Sequence, residues 1–367
     1  MRAAVLERIG EPLTVVDDVD VAEPGPGQVR VRIAACGLCH SDLFTIDGSF
    51  GDLTPMILGH EAAGEIVSVG VGVRGLSAGD AVVITPMPAC GRCHACVTGH
   101  PTLCDDALVW RTGLLPDGTS PFSRAGRLVY RGNGLGGFAE ETVVVEHAVV
   151  KVDEGVPLDV ACLIGCAVQT GVGAVLNTAR VPPGATVLVM GLGGIGQSVV
   201  QGARIAGAAQ IIVSDPLEPR RRAALELGAT DALDPSDVDV VSAVRELTGG
   251  VGVDYAFDAA GSVDLVATGV RATARGGAVV LVGGPKPTDT LSTVYPSHLI
   301  GGEKRLLATM VGSSYAPRDF PRLLALWRRG VLDLERMVSS RRPLAEINEG
   351  LDDLRAGRGI RTVILPS

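Results

Sequence analysis

The 367 residues carry 32 basic against 41 acidic side chains, a formal net charge of −9, with 46% hydrophobic and 20% charged residues. That hydrophobic content excludes a disordered chain, and the negative charge repels a phosphate backbone on average, so no nucleic acid is expected as partner. No run approaches the roughly 18 uninterrupted apolar residues of a membrane span, and Glu7 and Arg8 stand where an export signal needs an apolar core, so a cytoplasmic location away from membranes is expected.

At roughly 100–200 residues per domain, the length predicts two or three domains. Gln28–Ile33 alternates polar and apolar residues, the mark of a half-buried strand, after the turn Pro24-Gly25-Pro26-Gly27. Residues 65–69 and 81–84 read as further strands between Gly-rich turns. Residues 90–104 hold four Cys, too dense for a packed element, and 105–137 read as a long loop. The pattern then changes. Short apolar runs at 186–190, 210–214, 253–257 and 278–282 alternate with helical stretches, which predicts βαβ units and a parallel sheet. Residues 319–329 predict an amphipathic helix with Phe320, Leu323, Leu324 and Trp327 on one face, and 363–365 a last strand.

Gly191-Leu-Gly193-Gly194-Ile195-Gly196 follows one predicted strand and opens a predicted helix. In that context a G-x-G-x-x-G segment binds a dinucleotide. The first Gly makes the tight turn, the second admits the pyrophosphate to the backbone, and the third lets helix and strand pack closely. The helix N-terminus offers free N–H groups and a positive dipole end. Asp215 closes the next predicted strand, where a carboxylate accepts both ribose hydroxyls and repels a 2′-phosphate, favouring NAD over NADP. Arg220, Arg221 and Arg222 just downstream would partly offset that repulsion.

Eight Cys in a chain of this size without an export signal point to metal binding or catalysis ahead of disulfides. Cys90, Cys93, Cys96 and Cys104 place four thiols in one loop, suited to a closed tetrahedral zinc site. The rival is an iron–sulfur cluster, but the last gap is longer than in the ferredoxin spacing and Asp105, not Pro, follows the fourth Cys, so zinc is preferred. His94 and His100 in the loop read as solvent-facing. A second group is scattered: Cys39 in Gly37-Leu-Cys-His-Ser-Asp42, His60 in Gly59-His-Glu61, and Cys166 in Gly165-Cys-Ala-Val-Gln-Thr-Gly171. Spacing alone does not bring those three together, and each has an ordinary packing alternative.

These segments, with Ile347-Asn-Glu-Gly350 and Ile360-Arg-Thr362 near the end, together resemble the zinc-dependent medium-chain alcohol dehydrogenases through essentially the whole chain. The resemblance implies an α/β fold in which a GroES-like, β-rich catalytic domain (1–167 plus 311–367) is interrupted by a Rossmann-type doubly wound parallel-sheet domain (168–310), with the active site in the cleft between them. It implies two zinc ions per chain: one catalytic, on Cys39, His60 and Cys166, the Cys₂His pattern of alcohol dehydrogenase, and one structural, on Cys90, Cys93, Cys96 and Cys104. By the same resemblance Glu61 is an acid able to approach the catalytic metal and Asp42 orients the ligating His. His40 and Arg361 contact the pyrophosphate, with Gly191, Gly193, Gly194, Ile195 and Gly196 forming its cradle. Asp215 holds the adenosine ribose with Arg220 beside it. Cys36 and Cys162 match no ligand and are assigned to packing. The long segment after Cys104 resembles the liver-like branch, whose members are commonly homodimers.

The implied reaction moves hydride from a zinc-held alkoxide, derived from a primary or secondary alcohol, to NAD, giving aldehyde or ketone, with Ser41 taking the substrate proton. Many relatives place a His three residues after that Ser to pass the proton on; Phe44 stands there in this chain, so the proton leaves another way, through the cofactor ribose and His40 or through water. Leu108 replaces an Arg characteristic of the glutathione-dependent formaldehyde dehydrogenase branch, which speaks against a glutathione adduct. Pro86, Val109 and Trp110 are candidate pocket residues. Two alternatives stay open: a dismutase or dye-coupled alcohol oxidoreductase with tightly held NAD, and a non-catalytic NAD- and zinc-binding scaffold or sensor.

Overall fold

The structure, a computed structural model, describes residues 1–366, and for residues 108–110 the backbone only. The chain divides into two compact units. One takes Met1–Cys166, Tyr315–Leu326 and the segment from Leu334 onward; the other takes Ala167–Ser314 and Trp327–Asp333.

The first unit is built on two sheets. Gln28–Gly37 is the longest strand of a seven-stranded sheet, pairing antiparallel with Glu61–Val69, Glu141–Val145 and Arg361–Leu365. Its alternation works as the pattern predicts: Val29, Val31 and Ile33 are fully buried, whereas Arg32 faces solvent. The second sheet has six short strands, among them Ala3–Leu6, Met56–Ile57, Phe122–Arg124 and Arg127–Arg131. Val5, Ile33, Ile57, Phe122, Phe138 and Ile364 share one core, so apolar contact joins the two sheets within this unit.

Residues 105–137 are not one long loop. Asp105–Leu108 and Val109–Thr112 are short helical turns, and Phe122–Arg124 and Arg127–Arg131 form a hairpin. Ala125 and Gly126 turn it with positive φ at both central positions, the two-residue geometry that matches strand twist. The strands are too short to show a period. They exist because Val19–Val21 and Met56–Ile57 supply ladder partners and because Phe122 and Val129 are buried at 1% exposure each.

The second unit holds a six-stranded, wholly parallel sheet in the order Asp231–Leu233, Gln210–Ser214, Thr186–Met190, Val253–Asp258, Thr273–Leu281, Arg305–Ala308. Its central strands carry continuous apolar stretches, Val187–Met190, Ile211–Val213 and Ala278–Leu281, because both faces are covered. Val187, Val189, Ile211 and Val213 pack on one face, Leu188, Met190 and Ile212 on the other. Strand order reverses at Thr186–Met190, which is flanked by Gln210–Ser214 and Val253–Asp258. The crevice at that switch point is where such sheets take ligands. Among the described residues no single helix is long and apolar enough to cross a membrane.

Candidate metal centre and nucleotide site

In the first unit, three segments distant in sequence end at one buried point. Cys39 is the extended residue that caps the helix His40–Ile46. His60 precedes the strand Glu61–Val69. Cys166 follows the single turn Cys162–Gly165. The ligand atoms of Cys39, His60 and Cys166 all lie within 4.8 Å of one another, and the three residues are 4%, 4% and 9% exposed. The two sulfurs are 4.0 Å apart. Two thiolates at about 2.3 Å from a tetrahedral ion stand roughly 3.8 Å apart, so the donor set fits zinc in number, chemistry and spacing. Gly59 lets the chain turn into His60 with φ of 91°, and a Cβ there would meet Phe138 at 2.7 Å.

Asp42, fully buried, organises this point. One carboxylate oxygen accepts from the Cys39 N–H at 3.0 Å; the other accepts from the Gly59 N–H at 3.3 Å and the Asn133 amide at 3.1 Å, and lies 3.2 Å from His60 Nδ1. With Asp42 holding a proton on Nδ1, Nε2 is the nitrogen that would give its lone pair to a metal in place of a proton. Burial works against a charged His60 ring, but Asp42 outweighs it and the imidazole is held well above its usual range. Cys39 is held well below the ordinary thiol range by its hydrogen bond with Cys166, against burial, with Arg361 adding its positive charge; Cys166 is pushed up by the same pairing. Ser41 Oγ lies 3.8 Å from Cys39 Sγ. His40 is exposed at the first turn of the same helix. Phe44 packs edge-on against Phe50 with ring centroids 5.8 Å apart.

Arg361 is 4% exposed. Its guanidinium donates to the Leu38 carbonyl at 2.7 Å, and its Nε is 3.2 Å from Glu61 Oε1. Burial disfavours its charge, but Glu61, Cys39 and Cys166 more than restore it. Glu61 reaches this position because Gly37 has no side chain: a Cβ there would stand 2.3 Å from Oε1. Cys36 and Cys162 are fully buried, and burial raises both thiols well above their usual range, which suits packing. Pro86 is buried; the side chains of Leu108, Val109 and Trp110 lie outside the described residues.

Asn133 is the residue that the sequence reading passed over. It donates to Asp42, accepts from the Thr45 hydroxyl at 3.0 Å, and adopts φ of 52° between Gly132 and Gly134. A lone Asn between two glycines is the one signal that could have marked it, since Asn tolerates the left-handed region.

The other cysteine group closes on itself. The sulfurs of Cys90, Cys93, Cys96 and Cys104 all lie within 4.8 Å of one another. Backbone N–H groups already point at them, Cys90 N to Cys104 Sγ at 3.2 Å and Cys93 N to Cys90 Sγ at 3.4 Å. The backbone N–H groups of Asp105 and Cys96 bring Cys93 down to about 6, while burial pushes Cys104 up to about 12. His94 and His100 are exposed and outside this cluster.

In the second unit the strand Thr186–Met190 runs into Gly191, and Gly193 caps the helix Gly194–Ala206, which contains Ile195 and Gly196. A Cβ on Gly196 would stand 1.9 Å from the Gly191 carbonyl oxygen, so this Gly sets the strand-to-helix packing. A Cβ on Gly193 would meet nothing within 4 Å of protein, which leaves that backbone open to a ligand. Asp215 is 4% exposed and accepts from the Leu192 N–H at 2.7 Å and the Leu217 N–H at 2.8 Å. Arg220 stands 4.0 Å from its carboxylate; Arg221 and Arg222 pair instead with Asp234 and Glu218. Asp258, at the end of the neighbouring strand, accepts from the Ala260, Gly261 and Ser262 N–H groups at 3.0 Å each, and burial raises it to about 6 against those bonds.

Comparison with known proteins gives two family matches: an alcohol dehydrogenase GroES-like domain over residues 25–154 and a zinc-binding dehydrogenase over residues 194–329. The chain is 40% identical over 373 residues to an NDMA-dependent alcohol dehydrogenase of Amycolatopsis methanolica, covering 100% of this chain and 99% of that one. Its fold is similar to the crystal structure of an alcohol dehydrogenase zinc-binding domain protein from Burkholderia ambifaria, with a TM-score of 0.94 and 35% identity over 100% of this chain and 99% of that one. It is equally similar to benzyl alcohol dehydrogenase from Acinetobacter calcoaceticus, with a TM-score of 0.94 and 30% identity over the same shares.

Proposed function

The chain belongs to the zinc-dependent medium-chain alcohol dehydrogenase family and is an alcohol dehydrogenase-type oxidoreductase acting on small molecules, and on that premise we propose that it moves hydride between a primary or secondary alcohol and NAD, giving aldehyde or ketone. The observation that carries this reading is the buried meeting of two thiols and one imidazole, with Asp42 on the far side of the ring. Cys39, His60 and Cys166 would hold the catalytic zinc, and Cys90, Cys93, Cys96 and Cys104 a second, structural one. When bound at the first site, zinc supplies Lewis acidity that lowers the pKa of an alcohol hydroxyl or polarises a carbonyl.

The chain's own residues have these roles. Asp42 fixes the His60 tautomer and anchors the Cys39 N–H, so two of the three donors answer to one carboxylate. Ser41, two residues past Cys39 with its hydroxyl 3.8 Å from that sulfur, takes the substrate proton. Phe44 has no group to pass it on, so it leaves through the cofactor ribose and His40 or through water. Glu61 is the acid that can approach the metal, and Arg361 balances its charge in this buried setting. Arg361 and His40 would also contact the cofactor pyrophosphate. In the nucleotide unit Gly191, Gly193, Gly194, Ile195 and Gly196 would cradle the pyrophosphate, and Asp215 would take the adenosine ribose hydroxyls, favouring NAD, with Arg220 beside it.

We assign 1–167 plus 311–367 to the catalytic domain and 168–310 to the NAD domain, and expect a cytoplasmic homodimer. A second reading, a dye-coupled alcohol oxidoreductase that retains its nucleotide, draws support from the NDMA-dependent relative. One assay separates the two. Purified protein is passed through gel filtration and its bound nucleotide released and quantified; NAD reduction is then followed across primary, secondary, aromatic and long-chain alcohols. Free exchange with NADH formation supports the first reading. Nucleotide retained stoichiometrically, with turnover only when a dye is added, supports the second. Zinc near two per chain fits both, and zinc near one overturns the catalytic assignment.

A further inference from the structure

The parallel sheet of the nucleotide unit has two ends. The Gly191–Gly196 turn lies at the C-terminal ends of its strands. A separate cavity of about 480 Å³ lies at the other end, where Thr273–Leu281 and Arg305–Ala308 begin and where the helices Val240–Leu247 and Val263–Ala272 finish. Arg245, Arg271, Arg275, His298 and Lys304 line it, and none of its lining residues is acidic. In a chain with nine more acidic side chains than Lys and Arg, four Arg and Lys residues around one cavity, with His298 beside them and no carboxylate among them, reverse the global balance.

Two of these residues are fixed. Arg245 donates to the Gly250 carbonyl at 3.1 Å and the Arg271 carbonyl at 2.9 Å. Lys304 donates to the Val270 carbonyl at 2.5 Å and the Thr273 carbonyl at 2.7 Å. Three of these bonds satisfy carbonyls at the end of the helix Val263–Ala272; the negative end of that helix dipole offsets part of the charge, but among the described residues no carboxylate pairs with Arg245 or Lys304 within 4.0 Å. The crowding is felt at Lys304, whose ammonium is pushed below its usual range by burial and then by the charge on Arg245. Arg271 and Arg275 stand exposed at the rim, and among the described residues neither makes an ion pair within 4.0 Å; Asp239 reaches Arg271 only as a longer-range charge. Val270 contributes an apolar wall.

We propose that this cavity is a binding site for a small phosphate-bearing anion with at least two negative charges, separate from the dinucleotide crevice. Arg forks match phosphate oxygens in pairs, and the fixed Arg245 and Lys304 charges need no reorganisation to meet them. The volume is in the range of small-molecule sites. Binding supplies the close anionic partner that these side chains lack within 4.0 Å among the described residues, and it falls with salt because the rim is open to solvent.

The probe is inorganic pyrophosphate, titrated calorimetrically into the full-length protein with NAD present in excess and again without it, at low ionic strength. The wild type takes up one pyrophosphate per chain with NAD present. The R271A/R275A variant binds it at least tenfold more weakly, with thermal midpoint and NAD affinity unchanged within twofold, since both side chains are exposed and at the opposite end of the sheet from the glycine turn. Raising salt from 50 to 300 mM weakens wild-type binding severalfold. No saturable uptake by the wild type with NAD present, or equal affinity in the variant, overturns the proposal. Because the readout is the difference between wild type and variant, it stands whether or not NAD proves to be the cofactor.

Discussion

Replacing Asp42 by Asn removes one charge and keeps the shape, and its cost can be worked from four contacts. If the amide carbonyl keeps the side that faces Gly59, Asn133 and His60, its NH₂ is turned toward the Cys39 N–H, donor against donor, where the carboxylate now accepts at 3.0 Å. A buried donor left without an acceptor costs about 1–3 kcal/mol. The negative charge at the third position of the helix His40–Ile46 is lost as well, worth about 0.3–1 kcal/mol. With the amide turned the other way, three donors face an NH₂ and the loss is larger. In either orientation His60 Nδ1 no longer faces a full negative charge, so its Nε2 is a weaker base. Losing such an outer partner costs about 10–100-fold in metal affinity. D42N should therefore lower stability by roughly 1–4 kcal/mol and release one zinc per chain to a chelator at least tenfold more readily, while the zinc on the four-Cys loop stays at wild-type affinity as the internal control. Chelator competition with a colorimetric zinc indicator, run beside urea unfolding, reads both. Retention of both zincs at wild-type affinity would refute the reasoning.

Two glycines three positions apart should separate binding from folding. G193A, whose new methyl meets no protein atom within 4 Å, should keep the wild-type melting temperature and lose at least tenfold in dinucleotide affinity. G196A, whose methyl must displace the Gly191 carbonyl from 1.9 Å, should lose stability by about 1–3 kcal/mol or more as well. Equal dinucleotide affinity in G193A and wild type, by fluorescence titration, defeats this. In chelator-treated protein Cys93 should alkylate with a pH midpoint near its value of about 6, and Cys104, pushed to about 12, should stay inert at pH 8; mass spectrometry of the labelled peptides decides, and a common midpoint near 8.5, the ordinary free-thiol value, would show that the loop does not hold its thiols apart. Asp80 is held below the usual carboxylate range by its hydrogen bond from Lys151 and by the Ser77 N–H. A depressed folded pKa means the stabilisation is complete above the unfolded value and fades as pH falls through the folded one. Lys151 is over half exposed, so K151M should cost only about 0–1 kcal/mol at pH 7, and the urea midpoints of variant and wild type should converge toward pH 3; a gap that widens on acidification contradicts the assignment.

Much of the molecule was readable in the residue order because the signals were local. Val187, Leu188, Val189 and Met190 form a buried run, a glycine turn follows, and a helix starts at Gly194; each of these features depends on neighbours a few positions away. The four-Cys loop is likewise local, its ligand atoms supplied within fifteen positions. Residues 122–131 were not readable in this way. That hairpin has too few residues to show a period and depends on strands up to about a hundred positions away, through ladder bonds that no local pattern announces.

The order of residues alone determined the α/β class, the alternation that makes the parallel sheet, and the residue types suited to hold a metal and a dinucleotide. Only the tertiary structure decided that Cys39, His60 and Cys166, up to 127 positions apart, meet within 4.8 Å. It also decided that Asp42 and Asn133 stand behind them, and that Glu61 and Arg361 share one buried ion pair. The physical reason is that a donor's chemistry belongs to its side chain, whereas its partners are chosen by sheet register and helix capping. A strand that places Glu61 opposite Gly37 and a cap that places Cys39 against Asp42 are consequences of packing the whole unit.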